Sequence, residues 1–489
     1  MKLLIIIIGL VLVAVLGYFF HTPIPEGLVD PWHFRLLVAG TKAGGLVSKV
    51  QQFFKASQLD IVRTERWFTE MAMSAPDVQV RGSNVSARYT EFDGIRVLLY
   101  EPVIRGKDPA SALIFLHGGG YTLGSTKLHA PLTRQLAEEL NMVVVSVEYR
   151  LAPEYRLPAP SEDAYIATRH LMTHAADYGV DPHRVVVGGD SAGGHLTAVL
   201  VQLIHDDPTL PNIKLQVLLY PWIQCFDFNT PSYQQYESLF GDIGLSKNRI
   251  LDIVSINDRR VVDPDLIRHL RENRHTSKEF KHSRLYRDRL RHDIIFKKLG
   301  TTSTSNSGVP STSSYSLSSA MTSYLSSIFT SYVAMENFFT QPLATVLTSL
   351  YPLKSHLSSS SFLHHVDNDN ASSSIVDSVL EYRPEELFDR GNDTMWAEIR
   401  EYYTHTSMAP LFRGDFRGLP KAFVATADFD ALRDDGIFYA HALESAGVEV
   451  TWTNYRGAWH TIAAAGPIAD IPTGTKMIGD IVNFVRYNV

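Results

Sequence analysis

The stretch Arg184-Val185-Val186-Val187-Gly188-Gly189-Asp190-Ser191-Ala192-Gly193-Gly194-His195 decides how this chain is read. An apolar, β-branched run stops in glycines, and a helix-compatible run opens at Leu196 and continues through Ala198-Val199-Leu200-Val201. Within it, Gly189-Asp190-Ser191-Ala192-Gly193 has the pattern G-x-S-x-G, a tight strand-to-helix turn. A Cβ at its glycine positions would collide with the neighbouring strand and helix. The serine is pushed out of the sheet, and the helix N-terminus beneath it favours developing negative charge. Five residues alone arise by chance, so the surrounding chain has to supply the rest.

Upstream, Ile95 to Tyr100 alternates as a strand, and Ala112-Leu113-Ile114-Phe115-Leu116 reads as a buried strand running into His117-Gly118-Gly119-Gly120-Tyr121. A helix fits Leu128 to Leu140, a strand Met142 to Val147, and a second helix Ser161 to Tyr178. Leu215 to Leu219 continues the pattern beyond the serine turn. Late in the chain come a strand Ala422 to Thr426, a helix Gly436 to Ser445, a strand Val448 to Trp452 and a last helix Lys476 to Tyr487. Strands and helices alternating over short connections predict βαβ units and a mostly parallel sheet.

Domain organisation follows from what interrupts that alternation. Residues 1–22 form a candidate anchor, 23–90 an N-terminal cap segment with a helix over Phe53 to Met73, 91–223 the first part of the core, 224–419 an insertion and 420–489 the rest of the core. In the insertion, the charged run Arg259 to Lys298 reads as a solvated helical surface. The Ser-rich stretch 300–375 has a composition that buries too little apolar surface to offset ordering entropy. Leu317, Met321, Tyr324, Leu325, Ile328, Tyr332, Met335 and Phe339 recur there at helical spacing, which fits cap packing or a lid against bilayer or acyl chain.

With 489 residues and a net charge of −7, the chain is long enough for a large core and lacks the basic balance of a nucleic-acid binder. The single cysteine, Cys225, excludes an internal disulfide and any cysteine-based metal cluster. No phosphate-loop lysine follows the glycines, and neither cofactor nor metal is implied. After Lys2, about eighteen apolar residues from Leu3 to Phe20 would span roughly 27 Å as a helix, against a hydrocarbon core of ~30 Å. The run ends in Tyr18-Phe19-Phe20-His21, with none of the small residues of a cleavage site, which predicts an uncleaved signal anchor. Lys2 before it, with Glu26 and Asp30 after it, favours a cytoplasmic N-terminus and a luminal body. Sequons at Asn84, Asn370 and Asn392 fit that side.

The glycines 118–120 at a strand end let bare amides converge on one oxygen, each such donor being worth ~3–4 kcal/mol to a tetrahedral transition state. The expected oxyanion group is His117, Gly118, Gly119 and Gly120, with the amide of Ala192. A serine needs a base, and the base a carboxylate, in the chain order Ser, Asp/Glu, His. His460 lies just past the last strand in a glycine-bearing loop, whereas His195 and His441 fall in helices and His405 outside the sheet. For the acid, Asp428 and Asp430 both stand at a strand end, and Asp434 and Asp435 look like first-turn residues of the next helix.

His117-Gly-Gly-Gly-Tyr121, Tyr149-Arg-Leu-Ala-Pro-Glu154, Gly189-Asp-Ser-Ala-Gly-Gly194, Asp430-Ala-Leu-Arg-Asp434 and Trp459-His460, in this order, resemble the hormone-sensitive-lipase-type α/β-hydrolases. The apolar N-terminus and Asp227-Phe228-Asn229-Thr230-Pro231-Ser232-Tyr233 are similar to the arylacetamide deacetylase and neutral cholesterol ester hydrolase branch. The resemblance covers roughly residues 90–240 and 400–489. It implies an α/β-hydrolase fold with a helical cap and an N-terminal transmembrane helix. For the site it implies a Ser191–His460–Asp430 triad, with Asp430 rather than Asp428 as its acid, and a structural Asp163. It further implies a single-pass, type II endoplasmic-reticulum membrane protein acting on small-molecule or lipid esters, with arylacetamides as related amides. The Ser-rich insertion is longer than the branch usually carries and falls where the acyl pocket is covered. Two other readings share these motifs: a silent hydrolase fold used for binding, and acyl transfer to an alcohol through the same acyl-enzyme.

Overall fold

In the computed structural model, residues 17–72, 83–104, 106, 108–241, 244–258, 264–301 and 391–489 are described. Residues 1–16, the Ser-rich stretch beyond Thr301, the Leu317–Phe339 stripe and Asn370 lie outside them. By compactness the chain divides into Met1–Thr22, Gly27–Ser305 and Glu385–Val489 on one side, and Pro23–Glu26 with Asn306–Pro384 on the other. All elements below belong to the first group. Among the described residues, no helix is long and apolar enough to cross a membrane.

Eight strands form one sheet: β1 (Val85–Phe92), β2 (Ile95–Pro102), β3 (Ala110–Leu116), β4 (Val143–Val147), β5 (Val180–Asp190), β6 (Leu215–Leu219), β7 (Lys421–Phe429) and β8 (Val450–Trp459), in the order β1-β2-β4-β3-β5-β6-β7-β8. β1 and β2 run antiparallel, β2 antiparallel to β4, and every pair from β4 to β8 is parallel. Every residue of β4 and β6 is buried, because helices cover both faces of a parallel sheet and the strands need no polar side.

The helices are α1 (Pro31–Phe53), α2 (Gln58–Ala72), α3 (Ala130–Leu140), α4 (Ala159–Thr173), α5 (Ala192–His205), α6 (Pro231–Phe240), α7 (Lys247–Asn257), α8 (Pro264–Arg271), α9 (His292–Thr301), α10 (Asp393–Tyr403), α11 (Arg433–Ser445), α12 (Ile462–Ala469) and α13 (Pro472–Asn488), with short turns of helix between α8 and α9. α3 starts two residues later than its periodicity predicts because Pro131 stands in its first turn, and it stops at Asn141 in the left-handed region. Helices α6 to α10 are inserted between β6 and β7.

Three expectations are corrected. The helix expected over Phe53 to Met73 is α2, which starts only at Gln58, because Phe53 ends α1 and Lys55 between them takes a φ of 56°. The strand expected to end at Trp452 runs on to Trp459, since Tyr455 and Trp459 still pair with Ala427 and Phe429 across an irregularity. The charged run from Arg259 is not merely a solvated face. Asn273, His275, Thr276 and Lys281 are buried there, and the Lys281 ammonium donates to the Asn273 carbonyl. Asn273 and His292 in turn donate to the buried Asp227 carboxylate at 2.5 and 2.9 Å, which ties the charged run to the start of the insertion.

The tightest approach in the core is between β3 and α5. A Cβ built on Gly193 would lie 1.9 Å from the Leu116 carbonyl oxygen, and one on Gly189 would lie 2.5 Å from the same atom. Gly193→Ala therefore has to separate strand from helix and should cost about 3 kcal/mol of unfolding free energy. Gly479→Ala, in α13 with nothing within 4 Å of the added methyl, should gain about 0.5–1 kcal/mol. Paired urea titrations check both, and equal midpoints for the two variants would contradict this reading of the contact.

Candidate active site

The parallel strands deliver their carboxyl ends to one rim, where ligand sites of open α/β sheets lie. β5 ends at Asp190, and Ser191 follows with φ 56° and ψ −118°, outside the regions ordinary residues occupy and worth about 1–3 kcal/mol of strain. It stands at the N-cap of α5 without using its hydroxyl as a cap. The Ser191 hydroxyl instead donates to His460 Nε2 at 2.9 Å, and His460 Nδ1 donates to Asp430 Oδ2 at 2.8 Å. Asp430 has no other face to offer, since its Oδ1 accepts from the Leu432 amide at 2.9 Å. The Tyr220 ring meets the His460 ring edge-on, with centroids 4.9 Å apart.

The structure separates the two acids that the residues alone left open. Asp428 accepts from Asn454 Nδ2 at 2.5 Å and from the Gly457 amide at 2.9 Å, so it clamps the last turn of β8 rather than touching His460. Gly457 takes a φ of 71° at that point. Asp434 accepts from the Ser232 amide at 2.7 Å, and Asp435 from Ile223 and Gln224. Burial pushes the Asp435 carboxyl up to about 7. Asp163 holds Arg150, accepting from both its amide and its guanidinium.

The oxyanion assignment needs a correction at two of its five positions. The Gly118 amide donates to Asp190 Oδ1 at 2.8 Å and has nothing left for a substrate. The His117 ring turns into its own loop, with Nδ1 at 2.9 Å from the Gly118 oxygen and its face 4.2 Å from the Tyr149 ring. Among the described residues, nothing accepts from the amides of Gly119, Gly120 or Ala192, the last of which directly follows the serine. Helix α7 closes over this loop. A Cβ on Gly120 would meet Ile253 Cδ1 at 2.7 Å, and Asn257 Nδ2 donates to the Gly120 oxygen at 3.4 Å.

Sequence reasoning missed what holds the loop. Asp190, inside the serine motif, lies 3.2 Å from His129 Nε2, an ion pair beneath the glycines. The Tyr121 hydroxyl donates to His195 Nδ1 at 2.5 Å and lies 3.0 Å from the Ala192 oxygen, while His195 Nε2 donates to the Met408 oxygen at 3.2 Å. Burial lowers His195 to about 4, so the ring is a neutral brace between loop and elbow helix. Only the periodicity that places these residues at strand and helix ends hinted at them. Of the sequons, Asn84 is exposed, and Asn392 uses its Oδ1 to cap α10 by accepting from the Met395 amide at 3.0 Å. Among the described residues, no group of histidines, cysteines and acids could hold a metal ion.

Residues 113–260 and 336–464 match the sequence model of the family described as alpha/beta hydrolase fold. Mouse neutral cholesterol ester hydrolase 1 is 30 % identical over 466 residues, covering 92 % of this chain and 90 % of that protein. Rabbit arylacetamide deacetylase is 29 % identical over 490 residues, covering 98 % of each. An esterase of Pyrobaculum calidifontis has the same fold, with a TM-score of 0.51 at 22 % identity over 90 % of this chain and 97 % of its own. The chain belongs to the α/β-hydrolase fold family, among its esterases, in the branch of the neutral cholesterol ester hydrolases and arylacetamide deacetylases.

The ion pair beneath the loop is testable by pH. Burial alone would raise the Asp190 carboxyl, but His129 and the Gly118 amide outweigh it and hold it below the ordinary value. Burial alone would lower the His129 ring, and Asp190 holds it above its ordinary value. The Asp190 contribution is present above about pH 4 and lost as pH falls through its folded value, whereas that of His129 is present below about pH 6.5 and lost as pH rises through its own. Asp190→Asn should cost about 3 kcal/mol in the window between, and less above it. The same change should lower kcat about tenfold by loosening the glycine loop. A stability gap that stays constant from pH 5 to 9 would contradict the pair.

Proposed function

We propose that the chain hydrolyses carboxylic esters through an acyl-enzyme on Ser191. The observation that carries this is the chain of contacts from Ser191 Oγ to His460 at 2.9 Å and from His460 to Asp430 at 2.8 Å. As Ser191 Oγ attacks the carbonyl carbon, His460 Nε2 takes the hydroxyl proton, and Asp430 stabilises the imidazolium while fixing its tautomer. The former carbonyl oxygen, now anionic, lies within reach of the Gly119, Gly120 and Ala192 amides. The carbon–oxygen bond to the alcohol then breaks, His460 gives its proton to the departing oxygen, and Ser191 keeps the acyl group. Water, deprotonated by the same histidine, releases the acid and restores the serine.

The relatives' names, a neutral cholesterol ester hydrolase and an arylacetamide deacetylase, support a lipophilic ester or aryl amide as substrate. We read the apolar run Leu3 to Phe20 as a single membrane anchor with the body luminal, in the endoplasmic reticulum. The Lys2 charge before the run and the exposed Asn84 sequon after it support that orientation. The inserted helices α6 to α10 act as the cap over the site, and α7 at Gly120 supports this.

Ser191→Ala should lower kcat on p-nitrophenyl butyrate by about 10⁶, as triad knockouts do, leaving the fold intact. Turnover at the unmodified rate by that variant would end the proposal.

A further inference from the structure

Helix α1 carries two apolar faces and only one of them is used. Phe34, Val38 and Ser48 are buried, and the Phe34 ring packs 5.1 Å from Phe240 and 5.8 Å from Trp459, next to His460. Trp32, Leu36, Leu46, Val50 and Phe53 point the other way, with Trp32 66 % and Phe53 81 % exposed. At about 100° per residue these five fall on one arc of about 100°, opposite the buried set. Ala39 and Ala43 continue the same stripe.

Charge along the helix is one-signed. α1 contains Arg35, Lys42 and Lys49 and neither Asp nor Glu over its 23 residues. All three lie along one flank of the apolar arc, and Arg35 and Lys49 are placed there as in a helix that lies in a lipid interface with its cations toward the headgroups. A second observation says where that interface is. Lys42 Nζ donates to the carbonyls of Tyr18 and His21 at 3.0 and 2.8 Å, so the end of the apolar N-terminal run is fastened to the middle of α1.

We propose that the outer face of α1 lies in the surface of the bilayer that the N-terminal run enters, and that the esterase site draws its ester from that bilayer. This rests on the reading of Leu3 to Phe20 as an anchor, and adds a second, lateral contact. The inner face reaches the site directly. The Val29 amide donates to the Gly457 oxygen at 2.9 Å, and Trp459 Nε1 donates to the Val29 oxygen at 3.3 Å, which sets the segment leading into α1 against the end of the strand that delivers His460. The helix that would rest on the headgroup layer is thereby packed on Trp459, the residue before His460.

The test uses the full chain reconstituted into phosphatidylcholine–phosphatidylserine vesicles whose acyl chains are brominated either near the headgroup or near the methyl end. Shallow bromines should quench a component of tryptophan fluorescence that Trp32→Phe removes, and deep bromines should quench it less. In parallel, Leu36→Ser/Val50→Ser/Phe53→Ser should lower hydrolysis of a vesicle-borne ester about tenfold while hydrolysis of soluble p-nitrophenyl butyrate stays within about twofold. If the chain floats with the vesicles but wild type and Trp32→Phe are quenched alike, the stripe faces protein, whether a second copy or another segment of the chain, and the proposal is overturned while the anchor stands. Undiminished vesicle-borne hydrolysis by the triple variant also overturns it. A chain that fails to float removes both the anchor and the lateral contact.

Discussion

Everything at the site depends on how closely the first turn of α5 approaches the end of β3. The Leu116 carbonyl occupies the space in which a side chain on Gly189 or Gly193 would have to sit. With that space closed, the chain turns from strand to helix in a single residue, and that residue takes the left-handed φ of 56°. The strain is offset by the buried β3–β5–β6 core around it, where Val185 to Val187 and Leu215 to Leu219 are almost wholly excluded from water. The result is a hydroxyl raised above the sheet with its hydrogen-bonding capacity unspent except toward His460.

A second layer of interactions keeps the partners in place, and each member works at one remove. Asp428 holds β8 at Gly457, three residues before His460. Asp190 holds the Gly118 amide, and so aims the two following amides instead of joining them. Tyr121 and His195 fasten the same loop to the elbow helix. Asp428, Asp190, Tyr121 and His195 each have partners here, and a paired network in a low-dielectric interior fixes one geometry more firmly than apolar contacts would.

Much of this was legible in the sequence, and what was not has physical reasons. The order of strands and helices in the core followed from apolar periodicity, since parallel strands covered on both faces must read as continuous apolar runs. Ser191 and His460 could be named from chain order and motif because glycines and strand ends constrain where such groups can stand, whereas Asp428 and Asp430 share one strand end and only the family resemblance separated them. β1 stayed hidden because it is an edge strand with exposed residues such as Ser86 and Arg88, and its polar alternation resembles a loop. The break between α1 and α2 turns on the backbone at Lys55, which carries no glycine or proline signal. The loss of Gly118 as a donor could not be read at all, because it depends on Asp190, 72 residues away, pointing back beneath the loop. The outer stripe of α1 was equally silent, since a helix with apolar residues on two faces reads as core until one face is found open.

The account is tested most directly by the structure of the Ser191 adduct with an alkyl fluorophosphonate, whose phosphonyl oxygen stands where the transition-state oxyanion would be. The account predicts phosphorus on Ser191 Oγ and that oxygen within about 3 Å of the Gly119, Gly120 and Ala192 amides, with Gly118 still bonded to Asp190. An oxygen turned away from those amides, or a phosphonate attached anywhere but Ser191, would contradict it.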